Sequence, residues 1–193
     1  MEVGIYGGSF NPIHRGHVSL AKQILRKAQL DEVWFLVSPQ NPFKQADPSL
    51  LDEQLRLSLT QKALQEEERL VASDYEFHLP RPSYTYHTLC SLTKDYPQHD
   101  FYLIIGADNW YSFPRWYCAQ QIVDNYPIII YPRQGFPIDP QTLPPGVQLV
   151  NTRLYPYSST DIRQRIQQHL PVARLLPRSA AQDIITTYSQ LWV

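Results

Sequence analysis

The most informative part of the chain is Gly7-Gly8-Ser9-Phe10-Asn11-Pro12-Ile13-His14-Arg15-Gly16-His17. It follows the apolar run 3–6, which predicts a buried first strand. Four of the seven glycines lie within the first sixteen residues, and glycines at a strand end allow tight turns close to a ligand. His14 and His17 begin an apolar-periodic stretch, so we expect both on one face of a helix. This combination predicts a phosphate pocket built from backbone N–H groups and two imidazoles at a helix N-terminus.

Other interpretations of the same segment are a metal pair and a standard phosphate loop. The His-x-x-His spacing occurs in metal sites, but a zinc site needs three or four protein ligands. The remaining histidines form no second pair: His78, His87, His99 and His169. The glycines match neither G-x-x-x-x-G-K-[ST] nor G-x-G-x-x-G. We therefore predict no protein metal site and a phosphate loop of another kind.

Length and composition are typical of one globular domain. The chain has 193 residues, 43% hydrophobic and 18% charged, with a net charge of −1. Nothing in this balance indicates a partner that is a nucleic acid or a membrane surface. There is no apolar run of membrane-spanning length and no signal-peptide pattern, and Cys90 and Cys118 form no metal or redox motif. We expect one domain over 1–193, located in the cytoplasm.

Apolar runs and periodic stretches predict strands alternating with helices. Strands are expected at 3–6, 33–37, 70–72, 101–105, 127–131 and 147–150. Helices are expected at 18–28, 50–65 and 85–95, and from Thr160 onward. This order predicts an α/β fold of the Rossmann-like, doubly wound type, with a mostly parallel sheet and helices on both faces. A short C-terminal helical part is expected at 159–193.

Candidate ligand-binding residues follow the predicted strands. Ligands bind at the carboxyl ends of strands in doubly wound sheets. Besides the glycine-histidine segment, the stretch 39–44 follows the second strand, Gly106 to Asp108 follows the fourth, and Arg133 follows the fifth. We expect these segments to meet at one edge of the sheet.

A second anion site is predicted at 157–163. Ser158, Ser159 and Thr160 precede a helical pattern and are N-cap candidates. Hydroxyls, free N–H groups and Arg163 at a helix N-terminus would together bind a phosphate. The alternative is an ordinary helix cap with a solvated arginine.

These motifs resemble those of a known superfamily. The first segment resembles the G-x-F-x-P-x-H-x-G-H signature of the nucleotidyltransferases, which include adenylyl- and cytidylyltransferases, and 157–163 resembles their I-S-S-T-x-I-R element. Three further segments resemble motifs of nicotinate-nucleotide adenylyltransferases: 81–89 their R-x-G-x-S-Y-T-x-x-T-L segment, 105–109 with Arg115-Trp116 their G-A-D…W segment, and 41–44 their P-P-H-K loop. Phe43 replaces the usual histidine of that loop. The chain is identified as a member of this bacterial-type family.

The resemblance implies transfer of AMP from ATP to nicotinate mononucleotide, giving nicotinate adenine dinucleotide and pyrophosphate in NAD biosynthesis. Mg²⁺ is expected with ATP, held mainly by ATP and water, with no dedicated protein site. Alternatives are a different acceptor, either nicotinamide mononucleotide or phosphopantetheine, and a nucleotide-binding sensor without catalysis. The oligomeric state is open and includes a homo-oligomer.

The resemblance also assigns residues to roles. The catalytic residues would be His14, His17 and Arg163. ATP would be bound by Gly8, Ser9, Phe10, His14, His17, Gly106, Asp108, Ser158, Ser159, Thr160 and Arg163. The mononucleotide would be bound by Asn41, Lys44, Thr85, Trp116, Tyr117 and Arg133. Trp116 would stack on the pyridine ring, or else be a core aromatic, and Lys44 would contact phosphate, or else be a solvated loop lysine.

Overall fold

The computed structural model describes residues 1–39 and 49–192, so the predictions for Asn41, Phe43 and Lys44 lie outside the described residues. Its strands form one sheet in the order β3-β2-β1-β4-β5-β6. Each pair of neighbouring strands is parallel. The strands are β1 (Glu2–Gly8), β2 (Glu32–Val37), β3 (Leu70–Ser73), β4 (Asp100–Gly106), β5 (Ile128–Tyr131) and β6 (Val147–Leu149). This is the strand order of a doubly wound sheet, and its switch point lies between β1 and β4.

The helices differ from the prediction in two respects. They are α1 (Arg15–Lys27), α2 (Glu53–Leu64), α3 (Thr85–Asp95), α4 (Ala107–Ser112), α5 (Ala119–Asn125), α6 (Ser159–Gln167) and α7 (Ala181–Ser189). First, α4 and α5 were not predicted, because helices of six and seven residues are too short to show a helical period. Second, α1 begins at Arg15 and not at Val18, because His14 caps it.

Helices cover both faces of the sheet, as predicted. Alternate residues of β2 point to opposite faces: Phe35 joins one hydrophobic core and Leu36 the other. The first core also contains Ile24 of α1 and Ile162 of α6, and the second contains Leu89 of α3. In the described part of the chain, no helix combines the length and apolarity needed to cross a membrane.

The C-terminal helix α7 supports the segment that follows β1. Tyr188 of α7 is fully buried, and its hydroxyl donates a 2.6 Å hydrogen bond to Oδ1 of Asn11. The same Oδ1 atom accepts the N–H of Leu51, so three distant parts of the chain meet at one amide. The segment between β1 and α1 is therefore held from beneath by the C-terminal part.

Candidate active site

Two adjoining cavities open at the carboxyl ends of the strands. The smaller has a volume of about 610 Å³ and the larger about 1350 Å³. They share a wall at the switch point of the sheet. The residues that line both are Tyr6, Gly7, Gly8, Ser9, Ser38, Asn109 and Tyr131.

His14 and His17 form a reciprocal cap at the start of α1. Nδ1 of His14 accepts the N–H of His17 at 3.4 Å, and Nδ1 of His17 accepts the N–H of His14 at 3.3 Å. The two rings stack with their centroids 3.7 Å apart. Because each Nδ1 accepts a bond, the proton of each neutral ring is on Nε2. The pair therefore presents two preorganised Nε2–H donors, and both residues line the larger cavity.

Both histidines are neutral near pH 7. Burial, reinforced by the positive charge of Arg133, lowers the pKa of His14 to about 3. Burial also lowers the pKa of His17 well below its ordinary value, with smaller contributions from His14 and Arg133. The imidazoles consequently act as hydrogen-bond donors without carrying a formal charge.

This arrangement predicts that the protein loses stability when the pH falls from 7 to 5. The pKa of His14 is about 6.5 in an unfolded chain and about 3 in the folded protein. Between these values the unfolded state binds more protons, so acid favours unfolding. Urea unfolding of wild type and of His14→Asn, which retains a capping side chain, measures the effect. The stability of wild type relative to the variant should fall by about 1–2 kcal/mol between pH 7 and pH 5; a difference that stays constant would contradict the prediction.

Gly16 and Phe10 determine how the two histidine rings are packed. A Cβ on Gly16 would lie 2.9 Å from the ring of His14, so a side chain there would displace the imidazole. Phe10 has a left-handed φ of 43° and packs edge-on against His17, with centroids 5.3 Å apart. The side chain of Phe10 therefore supports His17 from the core, and Phe10 is also among the residues that line the larger cavity.

The start of α6 borders the same cavity as the histidines. Ser158 caps the helix in a reciprocal arrangement with Asp161, and the Ser159 hydroxyl donates to the Pro12 carbonyl at 2.9 Å. Arg163 donates to the Asn11 carbonyl at 2.6 Å and to the Thr160 hydroxyl at 3.5 Å. The hydroxyls of Ser158 and Ser159 thus make bonds within the protein. An anion here would be bound mainly by the N–H groups of the first turn and by the guanidinium.

Asp108, in the first turn of α4, and Arg133, which follows β5, line the same cavity as the histidines. Nε of Arg133 lies 3.5 Å from Oδ1 of Asp108, and its Nη2 donates to the Tyr131 hydroxyl at 3.4 Å. A Cβ on Gly106 would approach that Oδ1 to 2.3 Å, so the glycine is needed for the carboxylate position. Arg133, assigned by resemblance to the mononucleotide, lines the larger cavity with the residues assigned to ATP.

The smaller cavity brings together Thr85, Trp116 and Tyr117, the described residues assigned to the mononucleotide apart from Arg133. Thr85 is the first residue of α3, and Tyr84 is its N-cap residue. The side chain of Tyr84 makes no capping hydrogen bond to the N–H groups of the first turn. The N–H groups of the first turn are therefore available to a ligand. Trp116 packs on Phe113 with ring centroids 5.2 Å apart and leaves part of its surface in the cavity.

Glu76 is a residue of this cavity that the sequence did not reveal. Its carboxylate accepts hydrogen bonds from the hydroxyls of Thr88 at 3.0 Å and Ser83 at 3.3 Å. Burial raises the pKa of Glu76, and these hydroxyls, together with Ser38, oppose the rise. A single glutamate has no sequence pattern that marks it as functional. The hydroxyl residues Ser83 and Thr88 of the 81–89 segment could have indicated that a buried carboxylate accepts their hydrogen bonds.

The described residues contain no cluster of three or more His, Cys, Asp or Glu side chains that could hold a metal ion. A Mg²⁺ ion carried by ATP and water remains the prediction.

Comparisons with known proteins define the class. The family model Cytidylyltransferase-like matches residues 5–165. The chain therefore belongs to the cytidylyltransferase-like family, and it is a nucleotidyltransferase.

Curated relatives narrow this class. A Bacteroides thetaiotaomicron protein is 49% identical over 176 residues, covering 91% of this chain and 87% of the relative. A Bacteroides fragilis protein is 50% identical over 166 residues, covering 86% and 82%. Both are named "Probable nicotinate-nucleotide adenylyltransferase". Within the class, the chain belongs with the nicotinate-nucleotide adenylyltransferases, and the family predicted from its motifs is confirmed.

Solved structures confirm the fold. The nicotinic acid mononucleotide adenylyltransferase of Plasmodium falciparum, complexed with NaAD, aligns with a TM-score of 0.80 at 22% identity, covering 98% of this chain and 97% of that one. The same enzyme complexed with APC aligns with a TM-score of 0.79, covering 98% and 96%. The predicted α/β doubly wound architecture is therefore correct.

Proposed function

We propose that this protein transfers AMP from ATP to nicotinate mononucleotide and releases pyrophosphate. The observation that carries the proposal is the shared wall of the two cavities, which includes Gly8 and Ser9. ATP in the larger cavity and the mononucleotide in the smaller would place their phosphates against each other at this wall. Both proposed substrates are metabolites of the cytoplasm, where we place the enzyme.

The proposed reaction is a direct displacement. An oxygen of the mononucleotide phosphate attacks the α-phosphorus of ATP, a new P–O bond forms, and the bond to the β-phosphate oxygen breaks with pyrophosphate as the leaving group. The attacking oxygen is already anionic, so no general base is needed. Rate acceleration then comes from in-line positioning and from stabilisation of the charge that develops on the leaving oxygen.

The side chains of the larger cavity supply that stabilisation. The Nε2–H groups of His14 and His17 would donate to the α- and β-phosphates, because their Nδ1 atoms are engaged at the backbone. Arg163 and the first turn of α6 would bind the phosphates that leave. Mg²⁺ on ATP would neutralise part of the phosphate charge. Asp108 would contact the adenosine.

The smaller cavity supports an acceptor that carries a carboxylate. A carboxylate only accepts hydrogen bonds, whereas a carboxamide presents an NH₂ donor. The free N–H groups at the start of α3, with that of Tyr117, would therefore favour nicotinate over nicotinamide. Trp116 would stack on the pyridine ring of either acceptor.

We expect nicotinate mononucleotide to be preferred over nicotinamide mononucleotide by at least roughly 30-fold in kcat/KM, because the carboxamide forgoes a charged hydrogen bond. A pyrophosphate-release assay with ATP and each acceptor, with phosphopantetheine as a third, measures the preference. A preference under about threefold would show that these N–H groups do not distinguish the carboxylate of nicotinate from the carboxamide of nicotinamide. Binding of ATP without turnover of any acceptor would instead indicate a nucleotide sensor.

Trp116→Ala is expected to lower kcat/KM for both pyridine mononucleotides by a similar factor, about 10-fold, since stacking reads the ring and not its substituent. Trp110→Ala is the matched control: Trp110 stacks on the same Phe113 ring, with centroids 5.1 Å apart, from outside both cavities. Equal losses of kcat/KM in Trp116→Ala and Trp110→Ala would show that Trp116 acts only as a core aromatic residue.

A further inference from the structure

Arg56 is a buried cation that the proposed reaction does not use directly. It lies in α2, and only 1% of its surface is exposed. Its guanidinium donates to four backbone carbonyls: Leu51 at 2.8 Å, Ser9 at 2.7 Å, Ser38 at 2.8 Å and Pro39 at 3.2 Å. One side chain thus joins the segment after β1, the segment after β2 and the start of α2.

The bonds that Arg56 makes within the described part of the chain do not include an ion pair. Of the residues that the structure describes, no carboxylate lies within salt-bridge distance of its guanidinium. Burying a charge without a direct ion pair is costly, and burial lowers the pKa of Arg56, while the more distant Tyr188, Glu53 and Asp52 partly oppose that shift. A buried cation whose direct partners among the described residues are all backbone carbonyls, next to segments that line a cavity for polyanionic substrates, is a feature that packing alone does not require.

Of the four carbonyls that Arg56 binds, the Ser9 carbonyl bears most directly on nucleotide binding. The Ser9–Phe10 peptide is trans, so its N–H points away from the guanidinium that holds its carbonyl. Phe10 has a φ of 43°, a left-handed conformation that is unfavourable for a residue with a side chain. Such a backbone persists only where surrounding contacts enforce it. Arg56 provides one of those contacts.

The two cavity segments share this support. Ser9 and Ser38 each line both cavities, and Nη1 of Arg56 binds both of their carbonyls. Replacing Arg56 would therefore remove a hydrogen bond from each of the two segments of the shared wall, the one that contains Ser9 and the one that contains Ser38.

We propose that Arg56 is a positioning residue for ATP: it holds the Ser9–Phe10 peptide so that the Phe10 N–H faces the nucleotide, and it places a buried positive charge directly behind the Ser9 and Ser38 segments that line the cavity. This rests on the proposed function for the identity of the nucleotide. The positioning role itself concerns the binding of ATP and does not depend on which acceptor is used.

Calorimetric titration of the protein with ATP and Mg²⁺, without acceptor, tests the proposal. Arg56→Gln should raise the Kd for ATP roughly 10- to 100-fold, the range to which one lost charge-assisted hydrogen bond converts. Arg56→Lys retains the charge but cannot fork between carbonyls, so its Kd should lie between those of wild type and Arg56→Gln. Should Arg56→Gln fail to fold, Arg56→Lys decides, with a Kd at least about threefold above wild type expected.

Arg69→Gln is the matched control. Arg69 also donates to backbone carbonyls, those of Asp31 and Leu30, but at the amino end of the sheet. Its removal should lower the melting temperature without changing the Kd for ATP. A Kd within threefold of wild type in folded Arg56→Gln would overturn the proposal, as would an equal weakening in Arg69→Gln. Where Arg56→Gln does not fold, a Kd of Arg56→Lys within threefold of wild type would overturn it. Wild type that binds ATP but adenylates no acceptor would defeat only the proposed function.

Discussion

Replacing His17 with alanine is expected to lower kcat by about 10²–10³-fold, because a preorganised donor to charge that develops in the transition state is worth about 3–4 kcal/mol. The bond from the His14 N–H to Nδ1 of His17 fixes both the ring and its tautomer before substrate arrives. The same bond is part of the helix cap, so the variant should also lose about 1 kcal/mol of stability. Steady-state kinetics below the melting transition, with unfolding curves for both proteins, measure the two effects separately.

His17→Gln separates the cap from the chemistry. Glutamine is a favoured residue at this position of a capping box, and its amide can accept the His14 N–H while its NH₂ group donates to the cavity. We expect near wild-type stability and a kcat between those of wild type and His17→Ala. A His17→Ala enzyme that keeps more than about a third of wild-type kcat would remove His17 from the catalytic residues.

Arg163→Ala should mainly weaken the use of ATP. Loss of a charge-assisted hydrogen bond costs about 1.5–3 kcal/mol, so KM for ATP should rise roughly 10- to 100-fold, while KM for the acceptor changes much less. The structure adds a second reason: Arg163 donates to the Asn11 carbonyl at 2.6 Å, and so ties α6 to the segment that follows β1. Initial-rate kinetics with each substrate varied in turn give the two constants.

Arg165→Ala provides the control for net charge. It removes the same charge from the same helix, at an exposed position two residues further on. Its KM values should remain within about twofold of wild type. Equal changes in both KM values for Arg163→Ala, or the same change in Arg165→Ala, would show that Arg163 does not bind the leaving phosphates.

The strands could be predicted because each is a short stretch rich in apolar residues. Ile128–Tyr131 is buried along its whole length, whereas the edge strands β3 and β6 are only partly buried. The longer helices were predicted from the helical spacing of their apolar residues, whereas α4 and α5 were not, since they span fewer than two full turns. The start of α1 was placed too late because histidine is not among the usual capping residues.

The sequence alone determined the class of fold, the family and, within the described residues, the segments after β1, β4 and β5 that meet at the carboxyl ends of the strands. These depend on local periodicity and on motifs of contiguous residues. Tertiary structure alone decided what each polar group binds: that His14 and His17 cap each other, that the Ser159 hydroxyl is tied to Pro12, and that Arg56 is buried against carbonyls. The physical reason is that a lone arginine or hydroxyl has the same local pattern whether water or the protein satisfies it, and only the packing of distant segments determines which of the two does.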